Sequence, residues 1–327
     1  MTRIYGTLGP ACEKAETLEQ MLRLGMTGLR LNLSHVSLEQ AAGELEELRR
    51  AEEGCGSRAQ LLIDMQGPEL RIGKLETPLL LRAGETVDLD ALPFPGPVRE
   101  QLLPGQELLL DDGKLLLTAV RGGKAHVNRG GLLQSRKSVA LPGREVRLPA
   151  LTEEDLRNIA AAKRWGVSAL MQPFVRSRED LEEVRAALDA AGCGELRLLA
   201  KIENREGLRR LPELIGGCDE IVIARGDLGN AMPLWELPAA QKAIAARCRE
   251  AGRDFMVVTQ MLASMEQSPV PTRAEVSDIF NAVLDGAASV MVTGETAAGK
   301  YPVEAIRYLT ETVNSAERYL REERTTG

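Results

Sequence analysis

Ser168-Ala169-Leu170-Met171-Gln172-Pro173-Phe174, then the amphipathic stretch Glu179–Ala190, then Arg197-Leu198-Leu199-Ala200-Lys201-Ile202-Glu203 is the passage that decides the fold. Each of the two short runs is nearly continuous in apolar residues, the pattern of a strand buried on both faces. With an amphipathic helix between them, they read as one strand–helix–strand unit whose strands run parallel.

The same alternation recurs outward along the chain. Apolar runs ending in polar residues or glycine stand at Arg3–Gly9, Gly28–Ser34, Ala59–Met65, Ser168–Phe174, Arg197–Glu203, Glu220–Gly226, Asp254–Gln260 and Ser289–Glu295, eight in all. Amphipathic stretches lie between most of them, among them Ala15–Leu24, Leu38–Glu53 and Ala239–Ala251. Several close near a glycine (Gly25, Gly166, Gly252, Gly286), a common helix C-terminal signal. Eight strands alternating with helices predict an α/β protein, a (β/α)8 TIM barrel, with an open doubly wound sheet as the alternative. Only 2 Trp, 4 Tyr and 4 Phe are present, so the core is aliphatic, as barrel layers of Val, Ile and Leu require.

Residues 72–147 break this rhythm. They are punctuated by Pro and Gly and carry the short runs Leu108–Leu110, Leu115–Val120 and Ala125–Val127, with turns at Asp111-Asp112-Gly113 and Arg121-Gly122-Gly123. The helix due after the third strand comes only later, at Thr152–Trp165, with Thr152 and Asp155 in capping positions. A small all-β domain over 72–147 is therefore expected within a barrel made of 1–71 and 148–327. Taking those 76 residues from 327 leaves 251, near the ~250 of a complete barrel. Loops after barrel strands stand over the C-terminal mouth, where active sites lie, so a domain in that place is expected to serve as a lid.

Composition excludes several classes. A hydrophobic fraction of 44% supports a large core, and 41 Lys+Arg against 48 Asp+Glu give a net charge of −7. That balance, with so few aromatics, argues against a nucleic-acid surface. Five cysteines (Cys12, Cys55, Cys193, Cys218, Cys248) form no C-x-x-C pair and read as reduced thiols. The start Met1-Thr2-Arg3-Ile4-Tyr5 has no apolar signal region, and no run of about 18 apolar residues follows, so a cytoplasmic protein with no membrane contact is expected.

Polar residues gather where the strands end. Side chains at i and i+2 share a face. Arg30, Asn32 and Ser34 thus oppose Leu29, Leu31 and Leu33; Lys201 pairs with Glu203, and Thr293 with Glu295. Asp64 ends the third strand, Asp227 follows the sixth, and Thr259 ends the seventh. Each has a plainer reading: Arg30 as a structural ion pair, Lys201 with Glu203 as a rim salt bridge, Asp227 as a turn or cap residue, His35 as a hydrogen-bonded structural histidine. Their gathering at one end of the fold favours function.

Glu203 and Asp227 suit a hard divalent cation such as Mg2+, and no Cys/His cluster is present for zinc. Asn32, Ser34 and Asp64 form a second oxygen-rich set suited to a monovalent cation. Arg30, Arg71 and Lys201 supply positive charge for a phosphoryl group, the equipment of phosphoryl transfer. No Walker A sequence occurs, which excludes a P-loop enzyme.

Over nearly its whole length the chain resembles the pyruvate kinase family. The matching segments include Gly6-Thr7-Leu8-Gly9-Pro10, Arg30-Leu31-Asn32-Leu33-Ser34-His35, Asp64 with Gly67-Pro68-Glu69-Leu70-Arg71, Asp111-Asp112-Gly113, Lys201-Ile202-Glu203-Asn204 and Ala224-Arg225-Gly226-Asp227-Leu228-Gly229. Thr259-Gln260-Met261-Leu262, Pro271-Thr272-Arg273-Ala274-Glu275, Asn281–Gly286 and Gly294-Glu295-Thr296 follow in the family's order. The resemblance implies a barrel with a β lid, and transfer of the phosphoryl group of phosphoenolpyruvate to ADP, giving pyruvate and ATP. It implies Mg2+ (or Mn2+) on Glu203 and Asp227, and K+ on Asn32, Ser34, Asp64 and the Met65 carbonyl. Arg30 and Lys201 would stabilise the transferring group, and the Gly226 and Asp227 amides would hold the substrate carboxylate. Thr259 would help deliver a proton. Arg30, Asn32, His35, Arg71, Asp112 and Lys137 would face the nucleotide, and Glu69 matches the K+-dependent form.

The chain departs from the family's usual pattern at Val36 (Gly), Met65 (Thr), Gln66 (Lys), Asn230-Ala231 (Val-Glu) and Thr293 (Ser). The sequence stops after a last helix near Val303–Arg324, where the family carries a C-terminal domain, so the expectation is catalysis without that domain's sugar-phosphate regulation. The resemblance also implies a barrel-to-barrel interface through helix faces near residues 235–285, and a homodimer is expected. Two other readings compete: a Mg2+-dependent lyase or decarboxylase acting on oxaloacetate or a related keto acid through an enolpyruvate, and a non-catalytic binding relative. The first would work without nucleotide; the second is disfavoured by intact Lys201, Glu203, Asp227 and Thr259.

Overall fold

A computed structural model describes residues 1–34, 36–68, 70–111, 113–144 and 148–326, with only the backbone for 324–326. It falls into two compact units, one of Met1–Gly67 with Ala150–Gly327 and one of Pro68–Pro149.

In the first unit, eight parallel strands close into a barrel. In chain order they are β1 (Arg3–Thr7), β2 (Gly28–Asn32), β3 (Gln60–Asp64), β11 (Val167–Gln172), β12 (Arg197–Ile202), β13 (Glu220–Ala224), β14 (Asp254–Val258) and β15 (Ser289–Met291), with β4 to β10 in the other unit. Around the barrel the order is β1-β15-β14-β13-β12-β11-β3-β2. Alternation divides the strand residues into two cores. Tyr5, Leu62, Met171, Leu199, Val222, Met256, Val258 and Met291 fill the interior, while Leu61, Ile63, Leu198, Ile221, Ile223, Phe255 and Val257 pack in the larger cluster with helix residues. Tyr5 is the one bulky ring among the interior residues, and Gly28 makes room for it: a Cβ there would lie 2.2 Å from the Tyr5 ring. The aliphatic composition therefore has a structural counterpart in a nearly ring-free interior.

The connecting glycines behave as expected. Gly25, Gly166, Gly252 and Gly286 all have positive φ, so a side chain at these helix-to-strand turns would be strained. The helix Glu153–Ala162 starts on a capping box in which Thr152 and Asp155 cap each other. The second helix begins at Ala42 rather than Leu38, because Ser37 and Gln40 bond to each other in a turn and Leu38 N donates to Asn158 Oδ1.

Two strand ends differ from the sequence reading. β15 stops at Met291, and Gly294–Ala297 is a short helix, so Thr293 and Glu295 share no strand face; the Glu295 carboxylate instead accepts from Thr293 N and Leu262 N. β14 stops at Val258, and Thr259 follows in a left-handed conformation.

The second unit is built from β4 (Leu79–Leu81), β5 (Thr86–Asp88), β6 (Glu107–Leu110), β7 (Leu115–Val120), β8 (Lys124–Arg129), β9 (Gly131–Leu133) and β10 (Val139–Ala140). A five-stranded sheet runs β10-β6-β7-β8-β5, and β4 pairs with β9. It encloses its own core of Ile72, Leu92, Leu108, Leu110, Leu117, Val127 and Leu133 with their neighbours. Gly122 and Gly123, both at positive φ, close the β7–β8 hairpin.

Candidate active site

Inward-facing positions at the C-terminal strand ends set the site. Leu62 points into the barrel, so Asp64 two residues on follows the same face; Leu199 does the same for Lys201. Asp64 is 2% exposed and receives two cations. Arg30 Nε and Nη2 reach its Oδ2 at 2.8 and 2.7 Å, and Lys201 Nζ lies 3.2 and 3.1 Å from its two oxygens. Lys201 Nζ also stands 2.9 Å from Glu203 Oε1. Glu203 Oε2 accepts from Phe174 N at 2.7 Å, while Oε1 is buried with no hydrogen-bond partner, touching Lys201 as an ion pair only.

The electrostatics follow from this packing. Burial alone would raise the Asp64 pKa, but the Lys201 and Arg30 charges outweigh it and hold the carboxyl below its usual range. Burial would discharge Lys201; Asp64 and Glu203 prevail, and the ammonium is held more firmly protonated than an ordinary lysine. Glu203 has the opposite balance. Burial, with the nearby Asp227 and Asp64 carboxylates, pushes it up to about 7 despite Lys201.

Thr259 lies at the neighbouring β14 end. Its Oγ1 accepts from Gly226 N at 2.8 Å, and its carbonyl accepts from Arg225 Nη2 at 2.7 Å. Gly226 and Asp227 lie in the first turn of the helix Arg225–Ala231. On β2, Asn32 Oδ1 accepts from Ser34 N at 3.1 Å. Met65 follows Asp64, its N–H donating to the Met171 carbonyl. The structure thus brings Arg30, Asp64, Lys201 and Glu203 into one cluster, joins Thr259 to Gly226, and joins Asn32 to Ser34. Arg71 and Lys137 belong to the other compact unit, where Arg71 donates to the Arg136 carbonyl and Lys137 is ion-paired with Asp111 at 2.9 Å. His35, Asp112 and Glu69 lie outside the described residues.

Sequence reasoning missed two residues here. Asp155, fully buried, caps its own helix and also accepts from Gln66 N and Gly67 N at 2.8 and 3.0 Å. Arg225 grips the Thr259 carbonyl. The capping position signalled half of the first role; no local signal marks the second.

The donor set fits a hard divalent cation: two carboxylates, one with a buried oxygen lacking a hydrogen bond and a pKa raised by burial and by the other. No group of three or more His, Cys, Asp or Glu side chains placed for a metal occurs among the described residues, so such an ion would complete its shell with substrate oxygens and water. The amide, hydroxyl, carboxylate and carbonyl oxygens of Asn32, Ser34, Asp64 and Met65 are hard donors that fit an alkali cation in chemistry.

A closed (β/α)8 barrel with paired cations and carboxylates at its C-terminal strand ends has the architecture of the barrel enzymes, whose active sites lie at that face. The family described as pyruvate kinase, barrel domain, matches residues 1–306. Pyruvate kinase from Aeropyrum pernix is 40% identical over 327 residues, covering 97% of this chain and 71% of that protein. The Methylorubrum extorquens pyruvate kinase is 39% identical over 332 residues, with 97% and 69% covered, and human pyruvate kinase PKLR is 39% identical over 335 residues, with 94% and 58% covered. This chain belongs to the pyruvate kinase family and is a phosphotransferase of that family.

Proposed function

We propose that this barrel transfers the phosphoryl group of phosphoenolpyruvate to ADP through the cluster centred on Lys201. The observation that carries the reading is the buried Lys201 ammonium, shared between Asp64 and Glu203 beside Arg30. In the reaction the enol P–O bond of phosphoenolpyruvate breaks, a bond forms to the ADP terminal oxygen, and the enolate carbon takes a proton to become pyruvate. Such transfers need positioning and fixed positive charge more than covalent help. Asp64 holds Arg30 and Lys201 side by side before substrate arrives, so their charges act on the transferring group without reorganisation.

Glu203 and Asp227 would hold Mg2+ or Mn2+, which when bound supplies Lewis-acid neutralisation of phosphoryl and enolate oxygens. The Asp227 amide and the Gly226 amide, the latter shared with Thr259 Oγ1, receive the substrate carboxylate, and Thr259 Oγ1 is the hydroxyl through which the proton reaches the enolate carbon. Asn32, Ser34, Asp64 and the Met65 carbonyl take K+. On the barrel unit, Arg30, Asn32 and His35 engage the nucleotide. A cytoplasmic location and a homodimer belong to the same reading; exposed Leu234 and Trp235 support an association surface. No helix among the described residues is long and apolar enough to cross a membrane.

The test is pyruvate release from phosphoenolpyruvate with Mg2+, with and without ADP and with and without K+. ADP-dependent, K+-stimulated release is the expected result. Pyruvate formed from oxaloacetate with no nucleotide would instead favour the lyase reading.

A further inference from the structure

The turn after β14 carries two consecutive non-glycine residues in the left-handed region, Thr259 at φ 74° and Gln260 at φ 53°. For a β-branched residue that conformation is unfavourable and persists only where its surroundings over-determine it. Its effect is on direction. β14 sends Met256 and Val258 into the barrel and Phe255 and Val257 outward, so an unbroken strand would turn residue 259 outward too. The left-handed turn breaks that alternation, and Thr259 Oγ1 meets Gly226 N at 2.8 Å.

Arg225 surrounds this turn. Its Nη2 and Nε both donate to the Thr259 carbonyl, at 2.7 and 3.1 Å, and Nη2 lies 3.0 Å from Met261 Sδ. Nη1 is ion-paired with Asp278 Oδ2 at 2.6 Å, and Asp278 stands on a separate element, the helix Arg273–Leu284. Two donors of one rigid fork on one carbonyl fix the orientation of that peptide, which a single flexible donor does not. We propose that Arg225, braced by Asp278, is a positioning residue that holds Thr259 in its left-handed turn and so keeps the Thr259 hydroxyl on Gly226. Its consequence for catalysis rests on the reading of Thr259 given above.

The experiment compares full-length wild type with Arg225→Met, Arg225→Lys and Asp278→Asn, measuring kcat and KM for phosphoenolpyruvate with ADP and Mg2+, and determines the crystal structure of Arg225→Met. Displacing a reacting group by about 1 Å costs about a hundredfold, so Arg225→Met is expected to lower kcat by roughly 10–100-fold with KM within about twofold. Arg225→Lys falls between that variant and wild type, and Asp278→Asn, which keeps an acceptor, loses least. In the Arg225→Met crystal, Thr259 leaves the left-handed region or its Oγ1 parts from Gly226 N. An unchanged kcat in Arg225→Met, or a crystal in which the turn and that contact persist, overturns the proposal. Should Arg225→Met fail to fold, wild-type kcat in Arg225→Lys overturns it equally. If wild type itself releases no pyruvate, the functional reading fails, while the crystal arm still decides whether Arg225 sets the turn.

Discussion

Lys201 and Glu203 are two residues apart and bear opposite consequences of the same burial. Replacing Lys201 with Met leaves Glu203 buried without its cation and Asp64 with Arg30 alone of its two cations. Turnover is expected to disappear from the pyruvate-release assay, and stability at neutral pH to fall by about 3–5 kcal/mol, the usual cost of breaking a buried ion pair from one side. Urea unfolding of the metal-free variant measures the second effect. Glu203 provides a pH signature. Its pKa is about 7 folded against 4.5 as the unperturbed value, so between those pH values the folded state keeps a proton that the unfolded state releases. The contribution of this group to stability is therefore fully present below 4.5 and lost as pH rises through 7. Removing Mg2+ and comparing wild type with Glu203→Gln between pH 5 and 7 is expected to reveal a wild-type slope steeper by up to about 1.4 kcal/mol per pH unit. Equal slopes would refute this origin of the shift.

At the scale of elements, Asp155 joins two segments far apart in the chain. Thr152→Ala removes one cap and is expected to cost about 1 kcal/mol. Asp155→Ala also deprives the Gln66 and Gly67 amides of their acceptor, so its cost should exceed that of Thr152→Ala by about 2 kcal/mol or more. Denaturant midpoints of the two variants check the ordering. The alternation of βα units was legible because apolar runs and glycine stops carry period and boundary together. Lys201 was legible through the same period of two that fills the barrel interior, and Asp64 as the polar residue that ends the third strand. Thr293 and Glu295 were misread because that period was carried past Met291, where the backbone had already turned into a helix. Thr259 was named from its place at the end of the seventh run, but its geometry was hidden: positive φ at a threonine opposes local preference and is imposed by Arg225 and Asp278 from outside the strand. Contacts of that kind leave no periodic trace.

Over the whole molecule, the thiols offer a simple check on packing. Cys12, Cys193, Cys218 and Cys248 are buried, and only Cys55 is half-exposed. Burial pushes the Cys12 thiol up to about 11 and those of Cys218 and Cys248 up to about 12. Alkylation at pH 8 is expected to modify one cysteine, Cys55, in the native protein and all five in urea, read by intact-mass spectrometry. Early modification of Cys218 or Cys248 would mean that the barrel core opens more readily than its packing implies.

The sparse aromatics noted at the outset are also unevenly placed. Both tryptophans (Trp165, Trp235) and all four tyrosines (Tyr5, Tyr301, Tyr308, Tyr319) belong to the barrel unit, while Pro68–Pro149 has neither type. At 280 nm and above, where phenylalanine does not absorb, light therefore sees only one of the two units. Intrinsic fluorescence follows the barrel alone, and a tryptophan placed in the small β unit would give that unit an optical signal of its own.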